Sequence, residues 1–296
     1  REFLTAQPGQ IRFHSRLSRM TNRTDKYFEE NKPYAGLGRA SARGGAMLVA
    51  ARGVNVIVQV ATTVVLARML SPYEFGLVAV VAALVGFAPV LVDLGTTDAA
   101  VQKARTTREE ISALFWINMG IGALLTVLFA ASSWLIARLF HQPELAEIAL
   151  VSSLTFLITA VSVQHYALMR RAMEFRQLAT IETVSNLLSS IIAIAMAFTS
   201  WGYWALVAKP MLGLAFSATG AWIFCPWLPG RPQFTREVGG MVRFGLGITG
   251  FTVMDGITKS ADRLAIGYFF GPGPLGYFQN AFLLYANVLG ILTESL

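Results

Sequence analysis

Six polar or charged side chains sit inside long apolar runs, and these are the residues of this sequence that could do chemistry. Arg52, Asn55 and Gln59 stand three and four residues apart, Asp255 and Lys259 four apart, and Lys209 directly precedes Pro210. Such spacings place side chains on one face of a helix. An ionisable group at the centre of a bilayer costs about 2.5–3.5 kcal/mol on insertion scales, so it normally faces a cavity or a partner. Three cations against one carboxylate suit the electrostatic holding of an anion. Arg52 is expected either to line a wet wall with Asn55 and Gln59 or to snorkel to the cytoplasmic surface. Lys209, beside the kink that Pro210 imposes, suits a solvated cavity or a pairing with Glu182. Asp255 and Lys259 either pair with each other or contact a guest, and Asp255 is also a candidate for proton or Na⁺ uptake.

Weaker polar stripes accompany them. Glu182 and Asn186 are four apart, Gln279, Asn280 and Asn287 follow in the last apolar run, and Gln164 and His165 are expected near a membrane edge. The three histidines (His14, His141 and His165) are scattered, so no metal-ligand spacing arises, and the lone Cys225 excludes an intrachain disulfide. The expectation is a non-enzymatic protein without metal or cofactor.

The elements that must position these groups are hydrophobic spans. The chain has 296 residues, 54% hydrophobic and 14% charged, with a mean hydropathy of +0.54. Soluble domains carry roughly 25% charged residues. This composition excludes a disordered chain and disfavours a soluble globule. Runs near 20 apolar residues read as membrane-crossing helices. Eight are expected, at 46–70, 73–92, 113–135, 145–166, 181–199, 203–224, 242–266 and 275–296. The fold class is an all-α polytopic membrane protein.

Charge placement gives a topology. Nine basic residues lie in residues 1–43, and Lys103, Arg105, Arg108, Arg170, Arg171, Arg176, Arg231, Arg236 and Arg243 occupy alternate loops. The opposite loops hold Arg68, Arg138 and Arg263. The excess marks the cytoplasmic side and a cytoplasmic N-terminus in an inner membrane. It also accounts for the net charge of +7 through loops that face anionic lipid, with no nucleic acid partner. Residues 1–35 lack periodicity and are expected to be a dispensable, solvated tail, with Met20 a candidate start. The sequon at residues 22–24 has no meaning on the cytoplasmic side.

An internal repeat organises the spans. Residues 66–76 (LARMLSPYEFG) align with 266–276 (IGYFFGPGPLG) at an offset of 200, with Pro72 on Pro272 and Gly76 on Gly276. The same offset sets Arg52, Asn55 and Gln59 against Thr252, Asp255 and Lys259. Three divisions are expected: a polar cytoplasmic tail at 1–43, a six-helix lobe at 44–230, and the first two helices of a second lobe at 231–296. On this reading the second copy is cut short and about five or six spans are missing.

The ordered segments LARMLSPYEFGLVAVV, VDLGTTDAAVQKARTTREE, MRRAMEFRQLATIE, WGYWALVAKP and KSADRLAIGYFFGPGPLGYFQNAFLL resemble the polysaccharide flippases. These belong to the superfamily of multidrug, oligosaccharidyl-lipid and polysaccharide exporters, and the likeness spans about residues 44–296. It implies two lobes around a central cavity, alternating access, and a lipid-linked oligosaccharide carried on polyprenyl diphosphate. It implies membrane lipids, a polysaccharide polymerase and other assembly proteins as partners. On this resemblance the substrate contacts would be Arg52, Asn55, Gln59, Lys209, Asp255 and Lys259. The competing readings are a multidrug or cation exporter of the same superfamily, a membrane enzyme of the same pathway, and a nonfunctional remnant. A cation exporter would favour acidic groups in the cavity, and an enzyme would need a long outer loop.

Overall fold

The computed structural model describes residues 27–28, 37–103, 106–199 and 201–293. Met20, the sequon at 22–24 and Arg105 therefore lie outside the described residues, as does most of the expected tail. Eleven helices follow one another among the described residues, with no strand: α1 (Leu37–Met69), α2 (Pro72–Val85), α3 (Ala88–Asp93), α4 (Thr96–Gln102), α5 (Arg108–Leu139), α6 (Glu144–Ser152), α7 (Leu154–Arg171), α8 (Phe175–Phe198), α9 (Trp204–Phe224), α10 (Arg236–Phe270) and α11 (Pro272–Thr293).

Local signals set these boundaries. Ser71 caps α2 and exchanges hydrogen bonds with Glu74, and Pro72 occupies the first turn, where its missing N–H costs nothing. Thr107 and Glu110 form the same reciprocal cap on α5. The Thr235 hydroxyl accepts from the Val238 N–H to start α10.

Among the described residues, five helical stretches are long and apolar enough to cross a membrane: Pro72–Val101, Arg108–Leu139, Glu144–Arg171, Phe175–Phe198 and Trp204–Phe224. The other three expected spans fall on α1, α10 and α11, helices of 33, 35 and 22 residues. The second expected span, 73–92, is not one straight helix. The chain turns at Gly86–Phe87 and again at Leu94 and Gly95, whose φ values of 47° and 65° are left-handed, before α4 continues it to Gln102. Gly95 takes that conformation without penalty, whereas Leu94 is held there against its Cβ.

The repeat has a direct structural counterpart. Gly76 on α2 lies against the backbone carbonyl of Pro272, and Gly276 on α11 lies against that of Pro72. A Cβ on either glycine would overlap the other copy's carbonyl oxygen. Equivalent atoms thus meet reciprocally, as a two-fold relation between α2 and α11 requires. A second backbone-to-backbone approach joins the turn before α4 to α10, where a Cβ on Gly95 would come within 2.7 Å of Gly245 Cα. Small residues allow helices to close to this distance in lipid.

The interior corrects two expectations. Tyr27 is fully buried among Ile111, Leu114, Met169 and Trp227, and its hydroxyl donates to Glu174 Oε2 at 3.1 Å, so the expected solvated tail is not solvated throughout. Gln164 and His165, expected at a membrane edge, are both fully buried. His165 packs on the Trp222 ring at 4.2 Å, and its Nε2 lies 3.2 Å from the Trp227 carbonyl. Trp134 and Trp201 are exposed near helix ends, and Arg138 covers the Trp134 ring at 5.2 Å.

Candidate functional site

A cavity of about 590 Å³ opens between α1, α2, α8, α9 and α11. That volume falls within the range of small-molecule sites. Its polar wall comes from Asn55, Gln59, Glu182, Asn186, Lys209 and Gln279, with the hydroxyls of Thr63, Ser185, Ser189 and Ser217 between them. Leu66, Phe75, Val78, Leu206 and Leu283 form its apolar side.

Helical spacing explains the wall. Asn55 and Gln59 are one turn apart on α1, and Glu182, Ser185, Asn186 and Ser189 repeat at three and four along α8. Pro210 brings Lys209 into the lining and offers no N–H to the Leu206 carbonyl, a residue that also lines the cavity. The close fit of α9 on α8 depends on small residues. A Cβ on Gly220 would press on Ile181 at 3.0 Å, and one on Gly213 would meet Ser189 Oγ at 3.4 Å.

Hydrogen bonds tie the polar wall together. Lys209 Nζ donates to Gln59 Oε1 at 2.9 Å. Asn186 Nδ2 donates to Asn55 Oδ1 at 3.1 Å, and Asn55 Nδ2 donates to Thr183 Oγ1 at 3.4 Å. The Lys209 ammonium therefore bonds to the amide of α1, and Glu182 is a separate member of the lining. An ammonium carries three N–H donors. Gln59 uses one of them, and two remain for a guest.

Three of the six singled-out residues, Asn55, Gln59 and Lys209, are brought together here. Arg52, on the same face of α1, is exposed and outside the lining. Asp255 is half-buried on α10, away from the cavity, and the Lys259 side chain lies outside those described. The expected excess of cations is thus not what lines this cavity, where Lys209 and Glu182 provide one charge of each sign.

Two polar clusters lie elsewhere. Lys103, after α4, bridges Glu110 at the start of α5 (2.8 Å) and Glu237 at the start of α10 (3.1 Å). The desolvation of Lys103 is outweighed by these carboxylates, which raise its pKa, while the hydrogen bonding with Glu110 and the Lys103 ammonium hold Glu237 below the usual carboxylate range. The second cluster surrounds Thr96, which receives hydrogen bonds from Asn118 and Gln164. Sequence reasoning passed over Asn118 and Thr96. The available signal was a single asparagine inside the uncharged run 113–135, whose other polar residues are the hydroxyls of Thr126, Ser132 and Ser133.

The family model for "polysaccharide biosynthesis protein" matches residues 65–296. The chain is 27% identical over 220 residues to the succinoglycan biosynthesis transport protein ExoT of Rhizobium meliloti, covering 74% of this chain and 44% of that one. It is 27% identical over 224 residues to the lipopolysaccharide biosynthesis protein WzxC of Escherichia coli, covering 74% and 45%. It is 28% identical over 202 residues to the teichuronic acid biosynthesis protein TuaB of Bacillus subtilis, covering 66% and 41%. The chain spans about half the length of the curated relatives it matches. No solved structure matches it significantly.

Proposed function

The chain belongs to the polysaccharide biosynthesis protein family, and from that premise we propose that it works in moving a polyprenyl-diphosphate-linked oligosaccharide across the inner membrane. The observation that carries this reading is the cavity wall, where the Lys209 ammonium stands among the amides of Asn55, Gln59 and Asn186. An ammonium with two uncommitted donors suits a phosphate or acidic sugar, and amide and hydroxyl groups suit sugar hydroxyls. Nothing in this requires covalent chemistry. The work is differential binding in two conformations of a two-lobed protein with alternating access.

In this reading residues 44–230 are the first lobe, 231–296 open the second, all eight apolar helices cross the bilayer, and the N-terminus is cytoplasmic. Arg52 adds a second cation beyond the polar wall, toward the cytoplasmic rim. Asp255 and Lys259 line the second lobe's counterpart of this cavity, because the repeat sets them on Asn55 and Gln59. Membrane lipids, a polymerase and other assembly proteins are the partners.

Glu182 favours a second reading, a cation exporter, because it offers the cavity a carboxylate. Complementation separates the two. In a deletion strain carrying the full-length gene, Lys209→Met should abolish polysaccharide output, Lys209→Arg should restore part of it, and Glu182→Gln should leave it near normal. Normal output from Lys209→Met would overturn the assignment, and drug sensitivity caused by Glu182→Gln would favour the cation exporter.

A further inference from the structure

The polar cluster around Thr96 has a hydrogen-bond balance that leaves oxygen atoms over. The Thr96 and Thr97 hydroxyls and the Thr97 N–H all donate to Asp93 Oδ1, each at 2.9 Å. Thr96 Oγ1 in turn accepts from Asn118 Nδ2 and from Gln164 Nε2, each at 3.1 Å. A hydroxyl has one proton and two lone pairs, so Thr96 is saturated. This fixes both amides with nitrogen toward Thr96 and oxygen away from it. Thr96, Asn118 and Gln164 are all 0% exposed. Yet Asn118 Oδ1 and Gln164 Oε1 have no hydrogen-bond partner among the described residues. The Asp93 carboxylate lies in the apolar stretch Pro72–Val101, and its salt bridge to a cation is likewise missing among the described residues.

Every surplus group is an oxygen, and the surplus charge is a single negative one. Buried amide oxygens normally find partners, and the half-buried Asp93 carboxylate stands at the edge of the same cluster. Donors are what the cluster lacks, and a cation would serve its oxygens where a further donor is missing. One carboxylate with neutral oxygens matches a monovalent ion better than a divalent one, which draws more carboxylates. We propose that Asp93, Asn118 and Gln164, organised by Thr96, bind a dehydrated monovalent cation of the sodium class. The cluster sits at the left-handed corner of Leu94 and Gly95, which touches Gly245 of α10. An ion there would stiffen the corner on which α10 rests. The inference stands apart from the cargo reading, and its test does not use transport.

The test is thermal unfolding of the purified full-length protein in detergent. Titrations with NaCl, KCl and choline chloride are compared at constant ionic strength. The wild type should show a saturable sodium-specific rise, roughly 5–10 °C at a hundredfold excess over the dissociation constant. Asp93→Asn and Gln164→Leu should both lose that rise. Asp93→Asn keeps an acceptor for the two threonines, and Gln164→Leu removes an unpaired oxygen. The proposal is overturned if the wild type shows no rise, as a buried water would give, if potassium and choline match sodium, or if either variant keeps the sodium response. Should a variant fail to fold, the wild-type comparison of the three salts still decides.

Discussion

Placing one methyl group on Gly76 tests the reciprocal contact between α2 and α11. A Cβ there would overlap the Pro272 carbonyl oxygen, and it would lie 2.5 Å from the Pro272 carbonyl carbon and 2.8 Å from its Cα. Ordinary contact begins near 3.4 Å, so clearing the overlapped carbonyl oxygen requires the helices to part by about 1.5 Å. Overpacking a close contact costs typically 1–3 kcal/mol, and the upper end applies because both surfaces are backbone and neither can rotate away. Alanine recovers about 0.5–1 kcal/mol of helix propensity. The net loss for Gly76→Ala is about 2 kcal/mol. Gly273→Ala is the control: it lies in the first turn of α11, with nothing within 4 Å of its Cβ position, so it should be neutral or slightly stabilising. Thermal unfolding in detergent should separate the two by roughly 4–8 °C at about 2–4 °C per kcal/mol. Gly276→Ala should behave like Gly76→Ala, and the double variant should lose less than the sum, since both disrupt one contact. Equal stability of Gly76→Ala and Gly273→Ala would refute the contact.

Other perturbations follow from single contacts. Lys103→Met leaves buried Glu110 without its cation and should cost about 2 kcal/mol, below the loss for a fully buried pair because the Lys103 side chain is 30% exposed. Glu237→Gln should cost much less, since that carboxylate is mostly exposed. The folded-state pKa of Glu237 is depressed, so its contribution is present above the ordinary carboxylate pKa and disappears as pH falls through the lower folded value. Glu237→Gln should therefore flatten the acid limb of a stability profile. Gln59→Leu removes the acceptor of half-buried Lys209 and should cost about 1.5 kcal/mol in thermal unfolding. Tyr27→Phe should cost about 1 kcal/mol by loss of the Glu174 bond, whereas an unchanged stability would make that contact irrelevant.

Much of the helical order was legible because it rests on local rules. Pro72, Pro272 and the glycines four residues beyond them marked the repeat, and the structure shows those same residues in reciprocal contact. The break at Leu94–Gly95 was not legible, since a leucine at positive φ is held by tertiary packing against α10 rather than by its own preference. Spacing on α1 identified Asn55 and Gln59 as neighbours. It did not show that Arg52, one turn earlier on the same face, lies beyond the cavity. A sequence gives the face of a helix, while the extent of a cavity along it depends on which helices stand opposite. Asp255 illustrates the same limit: α10 packs on the α3–α4 corner and on α11, so its polar stripe does not reach the α1–α8–α9 wall. Asn118 drew no reading from the sequence and Gln164 was expected at a membrane edge; only the fold brings both onto Thr96.

The central claim is that this chain serves the movement of an anionic, lipid-linked oligosaccharide. The direct measurement is to delete its gene in the source strain, extract lipids and quantify polyprenyl-diphosphate oligosaccharide on each face of the inner membrane. The account predicts accumulation on the inner face, reversed by the intact gene and not by its Lys209→Met variant. Unchanged lipids on both faces after deletion would contradict it.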